Sequence, residues 1–484
     1  MSAPEDQPNN APADSAPLKV REAMWRLRVA WMFGAACMHI TTGVALNLYA
    51  TQVMRMDLFW LGVLGALPLM GAVTALPTSY FLARFGHRKR IFLIAGIAYR
   101  SMWVPIALIP WVLPQAWWWR ALLVLHALAS LATHVMSPAV LSWFADVIPA
   151  RVRGRFFSVW SQGGAIVGLL VGQFVAWLLD HAMSQEALTR TISVAFAAAA
   201  VLGVIDFLWL LPIPDVGHKA NPRITLRELF REPLADRSFR CYLGFSATRI
   251  LSIGFLGQYI WLYLFEVVRV TRSTANVMVV VMPMLVAILV VRAWGRLVDR
   301  WGCKPTLLVG TVLVLHGAAA WVFVTPEHPW GGYAGVLVSV AAWSGVEVAS
   351  FNLMLRMSAS HGGRRQGSAY LALNSVTIAA AAALSGVLGG TVANWLGRDW
   401  SGSLLGLPLT YHGVLFLISS GLRFLALPWL ILLQEPEARP TWAAVQYVFA
   451  GAFARLRLLV LSPLAVFRRD GAREADPAHE ARDE

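Results

Sequence analysis

Long apolar runs separated by short polar turns dominate this chain. A helix needs about 20 apolar residues to cross a hydrocarbon core of about 30 Å, and the runs reach that length. Because a segment in lipid must satisfy its own backbone amides, we predict helices rather than strands. The twelve predicted membrane helices cover residues 27–50, 58–83, 90–113, 117–144, 156–180, 189–212, 239–265, 274–298, 304–325, 332–357, 368–395 and 411–433.

A polar segment, residues 213–238, interrupts the apolar pattern in the middle of the chain. It leaves six predicted helices on each side, in residues 27–212 and 239–433. We interpret it as a cytoplasmic linker with room for a short helix around Thr225–Arg231. Residues 1–26 are polar at their start and are predicted to be a cytoplasmic tail.

Residues 434–484 are predicted to be a second cytoplasmic tail. Its apolar stretch, 441–468, is either a thirteenth span or an amphipathic helix lying on the inner leaflet. We prefer the amphipathic helix, because Arg455, Arg457 and Pro463 leave too short an apolar run to cross the bilayer.

Composition agrees with the membrane assignment. The 484 residues are 58% apolar and only 14% charged, whereas soluble proteins carry about 25% charged residues. The formal net charge of +14 is spread over short loops with no aromatic-rich basic patch, so nucleic acid is not an expected partner. Most Lys and Arg fall on the side of the two tails and the linker, which predicts that both termini are cytoplasmic. We expect a multi-pass protein of a bacterial cytoplasmic membrane.

The chain lacks the sequence signs of an enzyme. Cys37, Cys241 and Cys303 are isolated and form neither a disulfide framework nor a metal motif. There is no P-loop, so ATP-driven transport is not expected, and we predict no cofactor and no metal. The first apolar run is too long for a signal peptide.

One charged, glycine-bearing turn occurs twice. "GRLVDRWGCKP", Gly295–Pro305, has a weaker copy in "SYFLARFGHRK", Ser79–Lys89. A second pair, "RVRGRFF" (Arg151–Phe157) and "RRQGSAY" (Arg364–Tyr370), is separated by nearly the same number of residues. The two groups of six helices therefore look like a duplication, which is a known transporter design.

The longer copy resembles the G-x-L-x-D-R-x-G-x-K/R motif of the major facilitator superfamily. "ADVIPARVRGR", Ala145–Arg155, resembles the loop between helices 4 and 5 of that family. The resemblance covers residues 20–435. It implies an all-α integral membrane fold in which twelve transmembrane helices form two pseudo-symmetric bundles that rock around a central site.

The resemblance also implies a cytoplasmic gate. In the family the motif carboxylate faces the start of a helix in the other half, where exposed amides and the helix dipole favour an anion. This assigns Asp299 to the gate, opposite the start of predicted helix 5 near Arg155. Arg300, Gly295 and Gly302 complete the motif.

The first copy of the motif departs from the pattern, because Ala83 replaces the expected Asp. Arg84 and Gly86 remain, and Asp146 is expected to pair with Arg84 or Arg88. The gate is therefore predicted to be one-sided. The alternative is that all these charges only fix topology.

Five ionisable residues lie inside predicted helices, although a charge in the bilayer is costly. The resemblance implies that helices 1, 4, 7 and 10 line the cavity, so Arg249 and Glu347 are the candidates for binding solute or protons. Arg100, Asp206 and Arg423 are predicted to be structural and to be held by a partner in the same half.

Polar side chains at helical spacing support a cavity between the lining helices. The alternative is hydrogen bonding between helices, which uses the same residue types. The polar faces comprise His39, Thr42 and Asn47; His126, Ser130, Thr133, His134 and Ser137; Arg249, Ser252, Tyr259 and Tyr263; and Trp343, Glu347 and Ser350.

Predicted helix 5 places Gly164, Gly168 and Gly172 four residues apart, a spacing that allows close helix contact. "VLGG", Val387–Gly390, is the predicted matching contact in the other half. Drug exporters of the family have a glycine-rich helix 5, but their Gly-Pro pair is absent here.

These features predict a monomeric secondary transporter that moves a small solute across the lipid bilayer by alternating access. The intramembrane charges favour an anionic or polar solute, with protons as a candidate coupling ion. Efflux of amphipathic compounds remains an alternative, and so does a non-transporting sensor or assembly factor with the same fold.

Overall fold

The computed structural model describes residues 15–214, 233–360, 364–404 and 406–435, together with 438, 440, 442 and 446. Within these ranges, eleven helical segments are long and apolar enough to cross a membrane. The predicted linker helix lies outside the described residues, as does nearly all of the predicted amphipathic helix in 441–468. The side chain of Asp146 also lies outside them.

Helices account for almost all of the described structure. The α-helices are α1 Ser15–Thr41, α2 Val44–Leu48, α3 Leu58–Met70, α4 Ala75–Phe85, α5 Arg88–Ser101, α6 Trp103–Val112, α7 Trp118–Val147, α8 Ala150–Asp180, α9 Gln185–Leu210, α10 Arg237–Ile253, α11 Tyr259–Glu266, α12 Arg272–Asn276, α13 Met282–Trp301, α14 Cys303–Val314, α15 Pro329–Ser360, α16 Arg364–Leu396, α17 Tyr411–Phe424 and α18 Ala426–Leu432.

Short 3₁₀ or π segments connect several of these helices, and one hairpin was not predicted. The strands β1 Ser401–Leu404 and β2 Leu407–Thr410 pair antiparallel, with Ser401 opposite Thr410. The short segments are the 3₁₀ turns Gly71–Thr74, Gln115–Trp117 and Ala319–Phe323 and the π turns Tyr49–Val53 and Val277–Val281.

The first helix begins twelve residues before its predicted start at residue 27, so part of the predicted tail 1–26 is helical. Glu22 and Arg26 form an ion pair of 2.9 Å across one helical turn. Such a pair stabilises an exposed helix. The prediction was too short because it followed the apolar run alone.

Predicted helix 7, residues 239–265, is broken into α10 and α11. The break at Gly254–Gln258 contains two glycines, which have poor helix propensity. The Gly254 N–H donates to Ser385 Oγ at 2.6 Å, so a side chain of α16 accepts a hydrogen bond from the backbone at the break. Arg249 and Tyr259 consequently lie on separate helices.

Both copies of the repeated motif turn at a glycine with a positive φ. Gly86 follows α4 with φ of 83°, and Gly302 follows α13 with φ of 100°. Side chains other than glycine are strained at such angles. The turns occupy the same end of the molecule, and each links two antiparallel helices.

The core differs between the two ends of the molecule. At the end opposite the motif turns, one cluster contains buried residues of both halves of the chain, among them Phe196 and Tyr259. At the motif end there are two separate clusters, one containing Phe92 and Trp143 and the other containing Phe245. We call these the closed end and the open end, because among the described residues the large cluster with buried residues of both halves lies at the closed end.

Glycines bring two helices into backbone contact near the closed end. A Cβ at Gly62 of α3 would lie 2.7 Å from the Gly386 carbonyl oxygen and 2.9 Å from Gly390 Cα, both on α16. The glycines of α16 therefore contact α3. The predicted contact between these glycines and those of α8 is wrong. On α8, Gly164 and Gly168 instead make room for bulky side chains of α1.

Candidate functional site

Two of the predicted intramembrane residues are in direct contact. Arg249 of α10 donates through Nη1 to Glu347 Oε1 on α15. The Arg249 side chain is 13% exposed, but that of Glu347 is 51% exposed. The pair thus has a buried cationic member and an accessible anionic member.

Trp343 joins this pair to a second arginine. It precedes Glu347 by one helical turn, and the Arg249 guanidinium carbon lies 5.3 Å from the centre of its ring. The guanidinium of Arg423, on α17, lies 5.7 Å from the same ring. Aromatic rings attract cations at this range.

Arg423 contacts groups within its own half of the chain. It is buried, and its Nη1 donates to the Val314 carbonyl oxygen at 2.8 Å, while its Nε has no hydrogen-bond partner in the described structure. No carboxylate within the described ranges forms an ion pair with it. The cluster of Arg249, Trp343, Glu347 and Arg423 therefore contains two cations and one anion.

Arg100 and Asp206 form a separate buried pair. Arg100 Nη2 lies 3.3 Å from Asp206 Oδ2, and the two side chains are 2% and 8% exposed. Glycines provide the space: a Cβ at Gly34 would lie 3.1 Å from Arg100 Nη2, and one at Gly203 would lie 2.6 Å from Arg100 Cδ. The pair is thus built into the packing of α1, α5 and α9.

The remaining solute candidates contact other parts of the molecule. His39 Nδ1 lies 3.0 Å from the Ala35 carbonyl oxygen, and His134 Nε2 lies 2.7 Å from that of Pro68. His126 is buried with its ring against Trp103. Each of these histidines is placed by a local contact rather than by the Glu347 cluster.

Tyr259 belongs to the shared core of the closed end. It is fully buried, and its hydroxyl donates to the Leu58 carbonyl oxygen of α3 at 2.9 Å. In this conformation the hydroxyl therefore joins the two halves of the chain.

The predicted gate residues lie at the open end. Asp299 is exposed and makes no hydrogen bond or ion pair in the described structure, and a Cβ at Gly295 would have no atom within 4 Å. Arg155 is also exposed. Within the described residues, Asp299 and Gly295 thus lack the contacts that a closed gate would need.

The other predicted gate residues make local contacts. Arg84 is exposed and donates to the Tyr80 hydroxyl at 2.7 Å, and Arg300 lies 5.7 Å from the ring centre of Trp301. Arg88 is buried. The predicted pairing of Asp146 concerns a side chain outside the described part and stays a prediction.

Replacing Asp299 by Asn should favour the conformation seen here. The substitution removes nothing from this state, but it removes a charge–dipole attraction of about 0.3–1 kcal/mol from a state with the open end closed. Cysteines introduced at the open end should therefore react faster with a polar thiol reagent. Asp57→Asn, an exposed carboxylate at the closed end, is the control. Equal labelling rates for Asp299→Asn and the unmodified protein would contradict the gate role.

Two carboxylates that the sequence analysis did not select cap helices. Glu435 accepts from the backbone N–H groups of Cys303 at 3.0 Å and Lys304 at 2.6 Å, and it pairs with Arg356 at 3.0 Å. Asp180 caps the start of α12. Both acids lie just at or after the end of an apolar run, and that position is the only sequence signal they carry.

A family model supports the predicted resemblance. The model of the Major Facilitator Superfamily matches residues 69–381. The chain belongs to this superfamily. It is a multi-pass membrane protein, and its similarity to the family, first seen in the charged turns, is confirmed. No curated protein matches the sequence of this chain.

Solved structures show the same fold. The nucleoside transporter NupG is 13% identical with a TM-score of 0.62, and the match covers 85% of this chain and 99% of NupG. The xylose transporter XylE from E. coli, in an inward open conformation, is 15% identical with a TM-score of 0.58. The match covers 83% of this chain and 94% of XylE. A bacterial homologue of the human lysosomal transporter Spinster is 15% identical with a TM-score of 0.52. The match covers 86% of this chain and 95% of the homologue.

Proposed function

We propose that this protein is a secondary active transporter that moves a small solute by alternating access. The main observation that supports this proposal is the Arg249–Glu347 pair, in which a half-exposed carboxylate lies within a membrane-spanning helix. Charged groups at this depth face water or protein rather than lipid. With the termini in the cytoplasm, the open end faces the cytoplasm and the structure is inward-facing.

The solute is proposed to be polar and anionic. Among the five charges predicted inside the helices, Arg100 and Asp206 balance each other, whereas the cluster of Arg249, Arg423 and Glu347 has two cations and one anion. A carboxylate or phosphate on the solute would supply the missing negative charge. The guanidinium of Arg249 suits this role because it binds such groups through two parallel hydrogen bonds.

Glu347 is the proposed proton-coupling residue. Arg249 can bind either the Glu347 carboxylate or the anionic group of the solute. When solute occupies Arg249, Glu347 loses its counter-charge and becomes more favourable to protonate. Movement of solute would then be coupled to movement of a proton.

The identity of the solute is tested by ligand-induced stabilisation. Purified protein is screened for thermal shifts with grouped organic anions, nucleosides, sugars and amphipathic drugs. Flux of each hit is then measured in proteoliposomes. Stabilisation by anions followed by their flux supports the proposal, whereas stabilisation by amphipathic cations alone favours efflux. Binding without flux would favour the sensor.

Replacing Arg249 by Lys should weaken binding of an anionic solute by about tenfold or more while expression stays normal. Lys keeps the charge but loses the planar fork and its paired hydrogen bonds. The measurement is the dissociation constant of the best anionic hit. Arg292→Lys, an exposed arginine of α13, is the matched control. Normal affinity in Arg249→Lys would assign Arg249 to structure rather than to recognition.

A further inference from the structure

A carboxylate at the closed end joins the two halves of the chain. Asp180, the last residue of α8, accepts from the backbone N–H of Arg272 at 2.7 Å and from that of Ser273 at 3.0 Å. These residues begin the helical span Arg272–Trp301. The Arg272 guanidinium returns a hydrogen bond to the Leu179 carbonyl oxygen. Both helix ends are thus satisfied by one reciprocal contact.

Further polar contacts link the same regions. Gln173, two helical turns before Asp180, accepts from Asn276 Nδ2 at 3.0 Å, so a second contact connects the same two helices. Asn47 Nδ2 donates to Gln258 Oε1 at 2.7 Å between α2 and the break before α11. Hydrogen bonds to a charged group are stronger than neutral ones, so Asp180 is the strongest of these acceptors.

The same two helices carry the opposite arrangement at their other ends. Asp299 lies near the end of the span that Asp180 caps, and the start of α8 is its expected partner. At the closed end, the carboxylate at the end of α8 meets the start of the other helix. At the open end, the carboxylate at the end of that helix would meet the start of α8, and within the described part of the chain it makes no hydrogen bond or ion pair.

We infer that α8 and the span Arg272–Trp301 form a two-ended switch, in which Asp180 latches the closed end and Asp299 latches the other end in the alternative state. Two stiff helices that enclose a solute space close at one end by parting at the other. Each state then satisfies one carboxylate and one helix start. The inference rests on the proposed alternating access and adds the residue that holds the closed end.

The switch is tested by distances between spin labels at the two ends. Met183 and Glu327 are exposed at the closed end, and Arg90 and Arg296 are exposed at the open end. Each pair is replaced by cysteines and labelled. The three native cysteines are buried and contribute little background.

Asp180→Ala should raise the population with a long closed-end distance and a short open-end distance by about tenfold, because it removes two charge-assisted hydrogen bonds. Arg272→Pro should do the same, because proline lacks the N–H yet fits the first position of a helix. Thr271 before it has an extended backbone, which a following proline requires. Arg272→Ala keeps the N–H and should shift the distances less.

Glu186→Gln is the matched control, since it removes an exposed carboxylate at the same end that forms no hydrogen bond or ion pair with the described residues. The decisive variant combines Asp180→Ala with Asp299→Asn. The switch predicts that the two opposite shifts largely cancel, whereas a merely structural Asp180 would give no compensation.

Unchanged distances in both Asp180→Ala and Arg272→Pro would overturn the latch. It would also be overturned if the distances in the double variant were no closer to those of the unmodified protein than the distances in Asp180→Ala. If Asp180→Ala does not fold, the difference in distances between Arg272→Pro and Arg272→Ala is sufficient to test the latch. All distances are measured without solute. Normal switching combined with absent flux would therefore reject the transport proposal and leave the latch intact.

Discussion

Asp206→Asn should lower the free energy of unfolding by about 3–5 kcal/mol, the largest stability effect expected from a single substitution in this protein. It leaves the Arg100 guanidinium buried without its counter-charge, and a guanidinium does not shed its proton. The pair is 3.3 Å apart and almost fully buried, so water cannot replace the lost partner. Thermal or denaturant unfolding of the purified protein in detergent gives the measurement.

Removing the arginine of the pair should lower the free energy of unfolding by less than removing the carboxylate. Arg100→Met leaves Asp206 alone, and a lone buried carboxyl can become neutral by taking up a proton. Arg100→Met combined with Asp206→Leu should recover most of the loss, because an apolar pair avoids the desolvation of two charges. Arg90→Met, an exposed arginine of the same helix, is the control. Equal and small losses in both single variants would show that the pair contributes little to stability.

Much of the helical architecture follows from the apolar pattern, because length and hydropathy suffice to predict where helices cross a membrane. The breaks within helices do not follow from that pattern. Predicted helix 7 divides at Gly254–Gln258, where Ser385, far along the chain, accepts a hydrogen bond from the backbone. The hairpin Ser401–Thr410 was missed for a different reason, since its ten residues between two spans carry no strong periodicity.

The candidate site was predictable in part. Charges inside apolar runs are conspicuous, so Arg249 and Glu347 could be selected from the sequence, and the structure places them in contact. The neighbour of Arg423 was not predictable, because the structure gives it a carbonyl and an indole ring rather than an acid. Asp180 was missed because an acid at the end of an apolar run usually indicates only a boundary.

The predicted polar faces show how far helical spacing can be used to predict a site. Spacing predicts which side chains share a face, but not what that face meets. Tyr259 shares a predicted face with Arg249, yet the break separates them and Tyr259 binds the Leu58 carbonyl across the halves. Its side chain contributes to closing one end, whereas Glu347 remains accessible. The same polar residue types therefore serve the interface and the proposed site.

Glu347→Gln should abolish solute accumulation driven by a pH gradient while leaving solute binding and exchange intact. Gln has nearly the shape of the protonated carboxyl but neither gains nor loses a proton. The Arg249 guanidinium, freed from its ion pair, remains available to an anionic solute. The measurement is uptake into proteoliposomes, with and without an imposed pH gradient, using the best anionic hit.

The competing explanation is a permanent Arg249–Glu347 pair that never exchanges. Glu347→Gln would then leave a mostly buried guanidinium without its counter-charge and destabilise the protein. Unfolding of the same preparation separates the two cases, and Glu186→Gln serves again as the matched loss of one exposed carboxylate. The half-exposed position of Glu347 favours exchange, because a carboxylate that water and solute can reach has partners to exchange with. Undiminished gradient-driven accumulation in Glu347→Gln would remove this residue from the coupling mechanism.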